Sequence, residues 1–223
     1  MEKILFVVTS HSELGDTGKK TGYYLSEVTH PWSILSKDYE IDVVSPKGGR
    51  PPVDGFNLND EINRKYWDSP EWQEKMSTTM KPEDVDPSQY KAIFYAGGHG
   101  AMWDFPDNEK LAEIASKIYE NGGFVSAVCH GPAGLLNIKL NDGSYLIKGK
   151  KTDGFTNAEE EANNTAKIVP FLLQTAMTER GTDFDCGAPF TDHVVRDGRI
   201  ITGQNPMSAL DVGITLYGAL KEG

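Results

Sequence analysis

Cysteine is scarce in this chain, with only Cys129 and Cys186 among 223 residues. Two cysteines cannot build a disulfide framework, their spacing matches no metal-binding motif, and in a reducing compartment both should stay thiols. Positive charge is scarce too: 22 Lys and Arg face 33 Asp and Glu, a formal net charge of −11. A nucleic-acid backbone is therefore not an expected partner, and no basic run suits an anionic membrane. Long apolar runs are missing. Ile4 to Val8 is too short for a signal-peptide core, and polar Ser10, His11 and Ser12 follow it. Nothing approaches the roughly 20 residues of a membrane helix, so the expected location is the cytosol. His11, His30, His99 and His193 are scattered, without a spacing such as HExxH, and no nucleotide motif is present. Neither a metal nor a cofactor is expected.

With 38% hydrophobic and 25% charged residues, the composition is that of an ordinary globular protein. The length suits a single domain over residues 1–223. Four runs dense in Val, Ile and Phe read as strands buried on both faces: Ile4–Thr9, Ile41–Ser45, Ala92–Ala96 and Phe124–Cys129. Between the last two, Leu111, Ile114, Ala115 and Ile118 repeat at helical spacing and Asn121-Gly122 supplies a stop. Alternating strands and helices predict a mainly parallel sheet covered on both sides, a flavodoxin-like α/β/α sandwich. Residues 47 to 90 break the rhythm. They are polar, carry Pro51, Pro52, Pro70, Pro82 and Pro87, and are too long for a plain loop. We read them as an insertion with short helices anchored by Trp67, Trp72 and Tyr90. Later, Asp197-Gly198 predicts a hairpin between His193–Arg196 and Arg199–Thr202. A closing helix is expected from about Ser208 to Leu220, with Leu210, Ile214 and Tyr217 on one face.

The most informative stretch is Ala127-Val128-Cys129-His130-Gly131-Pro132-Ala133-Gly134. An apolar strand ends at a cysteine, small residues let the chain turn, and a helix can begin. Such a turn holds a nucleophile in a strained conformation above the sheet edge. A helix N-terminus beside it would lower the cysteine pKa. The alternative is a buried structural cysteine behaving as a small hydrophobe. A second element, Ala96-Gly97-Gly98-His99-Gly100, also follows an apolar strand. Consecutive glycines there can turn backbone N–H groups towards a ligand, as an oxyanion hole requires, with the His130 N–H as the partner donor. An ordinary tight turn would leave the same trace.

Together, A-G-G-H-G and A-V-C-H-G-P-A-G resemble the PfpI-like (class I glutamine amidotransferase-like) superfamily, which includes the parkinsonism-associated deglycase. Glu27 ahead of Thr29-His30-Pro31-Trp32, Asp153-Gly154-Phe155-Thr156, and Thr202 through Ala209 are similar to its branch of heat-shock chaperones and glutathione-independent glyoxalases. The resemblance covers nearly the whole chain. It implies Cys129 as nucleophile, Glu27 as the acid beside it, His130 as the following histidine and Gly98 as an oxyanion-hole glycine. Spacing from Gly154-Phe155-Thr156 points to Glu160 as the acid orienting that histidine. Glu159 and Glu161 are its immediate neighbours, and the alternative reading of the run is a solvated helix start, where acids favour the dipole. His30 is read either as a pocket residue or as a satisfied polar contact, and Cys186 as lying outside the site.

A thiolate, a carboxylic acid and an oxyanion hole suit attack on a small carbonyl. The resemblance implies methylglyoxal or glyoxal as substrate, lactate or glycolate as product, and a homodimer. Deglycation or peptidase activity shares the same nucleophile. A holdase chaperone, or a sensor whose thiol oxidises, is the reading of another class. A glutamine amidotransferase is less expected. Its histidine comes from far along the chain to face the cysteine, whereas His130 is adjacent and a tight turn should point it elsewhere.

Overall fold

In the computed structural model, residues 1–222 are described. Six strands form one sheet: β1 (Lys3–Val7), β2 (Glu40–Val44), β3 (Tyr90–Tyr95), β4 (Phe124–Val128), β5 (Val194–Asp197) and β6 (Ile200–Gly203). Their order is β2-β1-β3-β4-β6-β5, parallel except for the β5–β6 hairpin. The four apolar runs are therefore the four central-to-edge parallel strands. Ile4 to Val8 and Ala92 to Ala96 are wholly buried, as parallel strands covered on both faces must be. The hairpin is present, its turn shifted by one residue to Gly198-Arg199: Ile200 pairs with Asp197 and Gly203 with Val194.

Eight α-helices surround the sheet: α1 (Leu25–Leu35), α2 (Glu61–Trp67), α3 (Pro70–Ser77), α4 (Ala101–Asp104), α5 (Glu109–Glu120), α6 (Asn157–Ala162), α7 (Leu173–Glu179) and α8 (Ala209–Glu222). Together they make the flavodoxin-like α/β architecture. In α5, Leu111, Ile114, Ala115 and Ile118 are the buried face, and Asn108 caps it by accepting from the Leu111 N–H (3.0 Å). Residues 47–90 hold α2 and α3, each started by a side-chain cap, Asp60 and Ser69. Trp72 and Tyr90 are buried, and Trp67 packs on Trp72 (ring centroids 6.1 Å apart). No helix among the described residues is long and apolar enough to cross a membrane.

The strand order reverses direction between β1 and β3, so the loops at their carboxyl ends part there and leave a crevice. The strands are held by aromatic packing under that crevice: Phe6 lies 4.7 Å from Phe94 and 5.6 Å, edge-on, from Trp32 of α1. Burying each of these rings is worth roughly 1.5–3 kcal/mol. Helix α1 is fixed from the other side by α8. A Cβ built on Gly213 would stand 2.7 Å from the Pro31 Cα, so the two backbones touch at a glycine. That contact sets the height of α1, which carries Glu27.

Replacing Gly213 by Ala tests the contact. Helix propensity alone would favour Ala by about 1 kcal/mol; overpacking against the Pro31 backbone should outweigh it and cost about 1–3 kcal/mol net in urea unfolding. A stabilised variant would show that α1 and α8 are free to move apart.

Candidate active site

Cys129 ends β4 with φ +60, a left-handed conformation that costs of order 1–3 kcal/mol for a residue other than glycine. The surroundings pin it there. Its N–H donates to Gly203 O (2.9 Å), and its carbonyl accepts from the Phe155 N–H (2.8 Å). A 3-10 turn, Gly131–Leu135, follows at once. The strained strand-to-helix turn predicted from the sequence is present, with a 3-10 turn taking the place of a full α-helix start.

Parallel pairing of Tyr95 with Ala127 brings the glycine loop to the same sheet edge. Gly98 has φ +99, and a Cβ on it would stand 2.1 Å from Gly22 O, so only glycine fits. Its N–H is turned to the Cys129 sulfur, and this contact acts to lower the thiol pKa. The His130 N–H lies beside the same loop, 2.7 Å from where a Cβ on Gly97 would sit.

Glu27 sits in the first turn of α1 and is 0% exposed. Its Oε2 accepts from the Gly97 N–H (2.7 Å), Oε1 has no hydrogen-bond partner, and the carboxyl faces the Cys129 thiol. Burial pushes the Glu27 carboxyl up to about 8. The Cys129 thiol, 3% exposed, is raised well above its ordinary value by burial first and by Glu27 next. This corrects the sequence expectation of a depressed pKa: the dry site and the facing acid outweigh the turn's N–H groups. Tyr24, at the entry to α1, has its phenol raised by burial and then by Glu27 and Cys129.

His130 also departs from expectation. The ring does not point elsewhere but curls back, placing Nδ1 3.3 Å from Cys129 Sγ. The turn after a φ +60 residue brings successive side chains to the same side. His130 Nε2 lies 2.8 Å from Glu160 Oε2. Burial, then His99, lowers the His130 pKa to about 4, so near neutral pH the imidazole is uncharged and one nitrogen can accept. Burial acts to raise Glu160, but hydrogen bonds from His130 and His99 outweigh it and hold the carboxyl well below its usual range. With Nε2–H donating to Glu160, Nδ1 faces the thiol as an acceptor.

The Glu159–Glu161 run thus resolves by geometry. Glu160 reaches His130; Glu161 is exposed; Glu159 turns into the protein as a hub. It accepts from Thr156 N–H (2.9 Å) in a capping box, from Phe190 N–H (2.8 Å) and from Asn205 Nδ2 (2.8 Å). His30 pairs with Asp60 (2.9 Å), a satisfied contact and not a pocket residue. His11 stacks on Trp103 and His193 pairs with Asp153. Cys186 is exposed.

His99 is the residue that sequence reasoning passed over. Its Nε2 lies 2.8 Å from Glu160 Oε1, and its ring is 4.2 Å from that of His130. The signal was available: His99 follows Gly98 in the loop that the β3–β4 pairing sets beside Cys129. Among the described residues, His99, His130 and Glu160 are the set able to hold a metal ion, their ligand atoms all lying within 4.8 Å of one another.

Comparison with known proteins gives a consistent picture. The model of the DJ-1/PfpI family matches residues 20–217. The chain is 37% identical to Glyoxalase 3 of Candida albicans, covering 99% of each. It is 33% identical to the glutathione-independent glyoxalase HSP31 of Saccharomyces cerevisiae, covering 99% of this chain and 98% of that one. The crystal structure of glyoxalase III from Candida albicans superposes with a TM-score of 0.90 at 32% identity, covering 98% of this chain and 97% of that one.

The buried Glu27 carboxyl makes a stability prediction. Its pKa is higher folded than unfolded, so its contribution is complete below the ordinary carboxylate range and is lost as pH rises towards about 8. Through that window stability should fall by up to ~1.4 kcal/mol per pH unit. Glu27→Gln should flatten the dependence in urea unfolding at pH 5.5 and 8; an unchanged slope would mean that another group titrates.

Proposed function

The chain belongs to the DJ-1/PfpI family, and on that premise we propose that it is a glutathione-independent glyoxalase acting through Cys129. The observation that carries the reading is the line from Glu27 through Cys129 to His130 and Glu160, buried and held by hydrogen bonds. Relatives named glyoxalases over their full length support it. The substrate is methylglyoxal or glyoxal, and the product lactate or glycolate.

In this mechanism the thiol proton passes to His130 Nδ1 as sulfur bonds to the aldehyde carbon. The developing oxyanion is held by the Gly98 and His130 N–H groups and then protonated to a hemithioacetal. Glu27 as carboxylate removes the hydrogen left on that carbon, and the electron pair moves to make an enediol with the neighbouring carbonyl. Returning the proton to the second carbon gives a thioester. Water cleaves it: oxygen goes to the acyl carbon and hydrogen back to sulfur. One carbon is oxidised and its neighbour reduced, so atoms and electrons balance with water alone. A Glu27 pKa of about 8 suits a base working near neutral pH, since it leaves a stronger base than an ordinary carboxylate.

The Cys129–His130–Glu160 line is also the arrangement of a cysteine hydrolase, and deglycation of early methylglyoxal adducts starts from the same adduct. The reading includes a cytosolic homodimer; exposed Met207, in the turn before α8, and exposed Ile214, within α8, support an apolar contact at this end of the helix.

Lactate should form from methylglyoxal without glutathione. Cys129→Ser should lower kcat/KM about a thousandfold, and Glu27→Gln at least a hundredfold. Lactate production unchanged in Cys129→Ser would overturn the thiol mechanism. Release of amines from glycated peptides faster than lactate formation would favour the hydrolase.

A further inference from the structure

The Glu160 carboxylate is bracketed by two imidazoles. His130 Nε2 and His99 Nε2 each lie 2.8 Å from a different oxygen. Glu160 needs only one oxygen to orient the catalytic His130 ring, and His99 on the other oxygen is unexplained by the mechanism. We infer that His99, His130 and Glu160 form a binding site for a borderline-soft divalent cation, zinc above all, whose occupation reversibly switches the enzyme off.

Two histidines and a glutamate are a donor set that zinc takes in open, three-ligand sites. With bonds of about 2.0–2.1 Å and tetrahedral angles, the donor atoms would stand roughly 3.4 Å apart. With one ligand atom from each residue, the three donors already lie within 4.8 Å of one another, so shifts of about an ångström would bring them to that spacing. The outer contacts are in place: the Thr165 hydroxyl donates to Glu160 Oε1, and the Phe155 ring packs 4.3 Å from that of His130. His99, 17% exposed at its side chain, gives the way in; His130 and Glu160 are buried. Charge favours a cation, because the set contains the Glu160 carboxylate and Glu159 adds to the field at His130.

The consequence for catalysis follows from the ring's two nitrogens. A metal on His130 Nε2 needs its lone pair, which moves the imidazole proton to Nδ1. Nδ1 lies 3.3 Å from the Cys129 sulfur and then donates to it instead of accepting from the thiol. Metal binding and proton removal at His130 exclude each other. This step rests on the proposed thiol mechanism; the site itself does not.

Cobalt and zinc chloride titrations test it. The expected result is one ion per chain, with the visible bands of tetrahedral cobalt and no thiolate-to-metal charge-transfer band. Cys129→Ser should bind as tightly as the wild type, whereas His99→Ala and Glu160→Gln should bind at least tenfold more weakly. Zinc should stop lactate formation, and EDTA should restore it. A thiolate–cobalt band, or binding lost in Cys129→Ser but kept in His99→Ala, would assign the ion to the thiol and overturn the inference. So would no binding to the folded wild type. Tight binding in a chain that makes no lactate would leave the metal site standing and remove the glyoxalase reading instead.

Discussion

Everything at this site depends on two acidic groups sharing a space without water. Glu27 is wholly buried and Cys129 nearly so, and the medium around them tolerates at most one negative charge near neutral pH. That shared restriction raises both groups together. It also makes Glu27 useful, because a carboxylate that ionises reluctantly is a strong base once it does. A solvated pair in the same geometry would hold an idle carboxylate beside an ordinary thiol.

The fold meets this restriction by bringing backbone from three strand ends to one edge. The end of β3 supplies Gly97 to Glu27 and Gly98 to the sulfur. The end of β6 pins the Cys129 N–H. Helix α1, pressed inward by the Pro31–Gly213 contact, delivers the acid. On the far side, helix α6 is anchored by Glu159 so that the next residue, Glu160, points at His130. Adjacent acids thus divide the labour: one fastens the helix to the loops at Phe190 and Asn205, and the other enters the site.

Much of this was legible in the sequence, for reasons that differ by element. Parallel strands announce themselves by unbroken apolar runs, and Asp197-Gly198 announces its hairpin by turn chemistry. Cys129 and Gly98 were visible because strand ends followed by small residues leave few side chains that could be there for packing. Glu27 and Glu160 were reached through resemblance, since an acid on a helix carries no local mark of being buried. Three things were hidden. The direction of the Cys129 pKa depends on burial and on a residue about a hundred positions away. The direction of the His130 ring depends on the φ of the residue before it. His99 was one histidine among several until strand pairing set it against Glu160.

The most direct test is the pH dependence of Cys129 alkylation by iodoacetamide, mapped by mass spectrometry to separate it from exposed Cys186. In the wild type, reactivity should rise only above the ordinary cysteine range. In Glu27→Gln the midpoint should fall, because the facing negative charge is gone. A midpoint below the ordinary range, unmoved by that substitution, would contradict the account: Cys129 would then be a solvated thiolate, and Glu27 no partner to it.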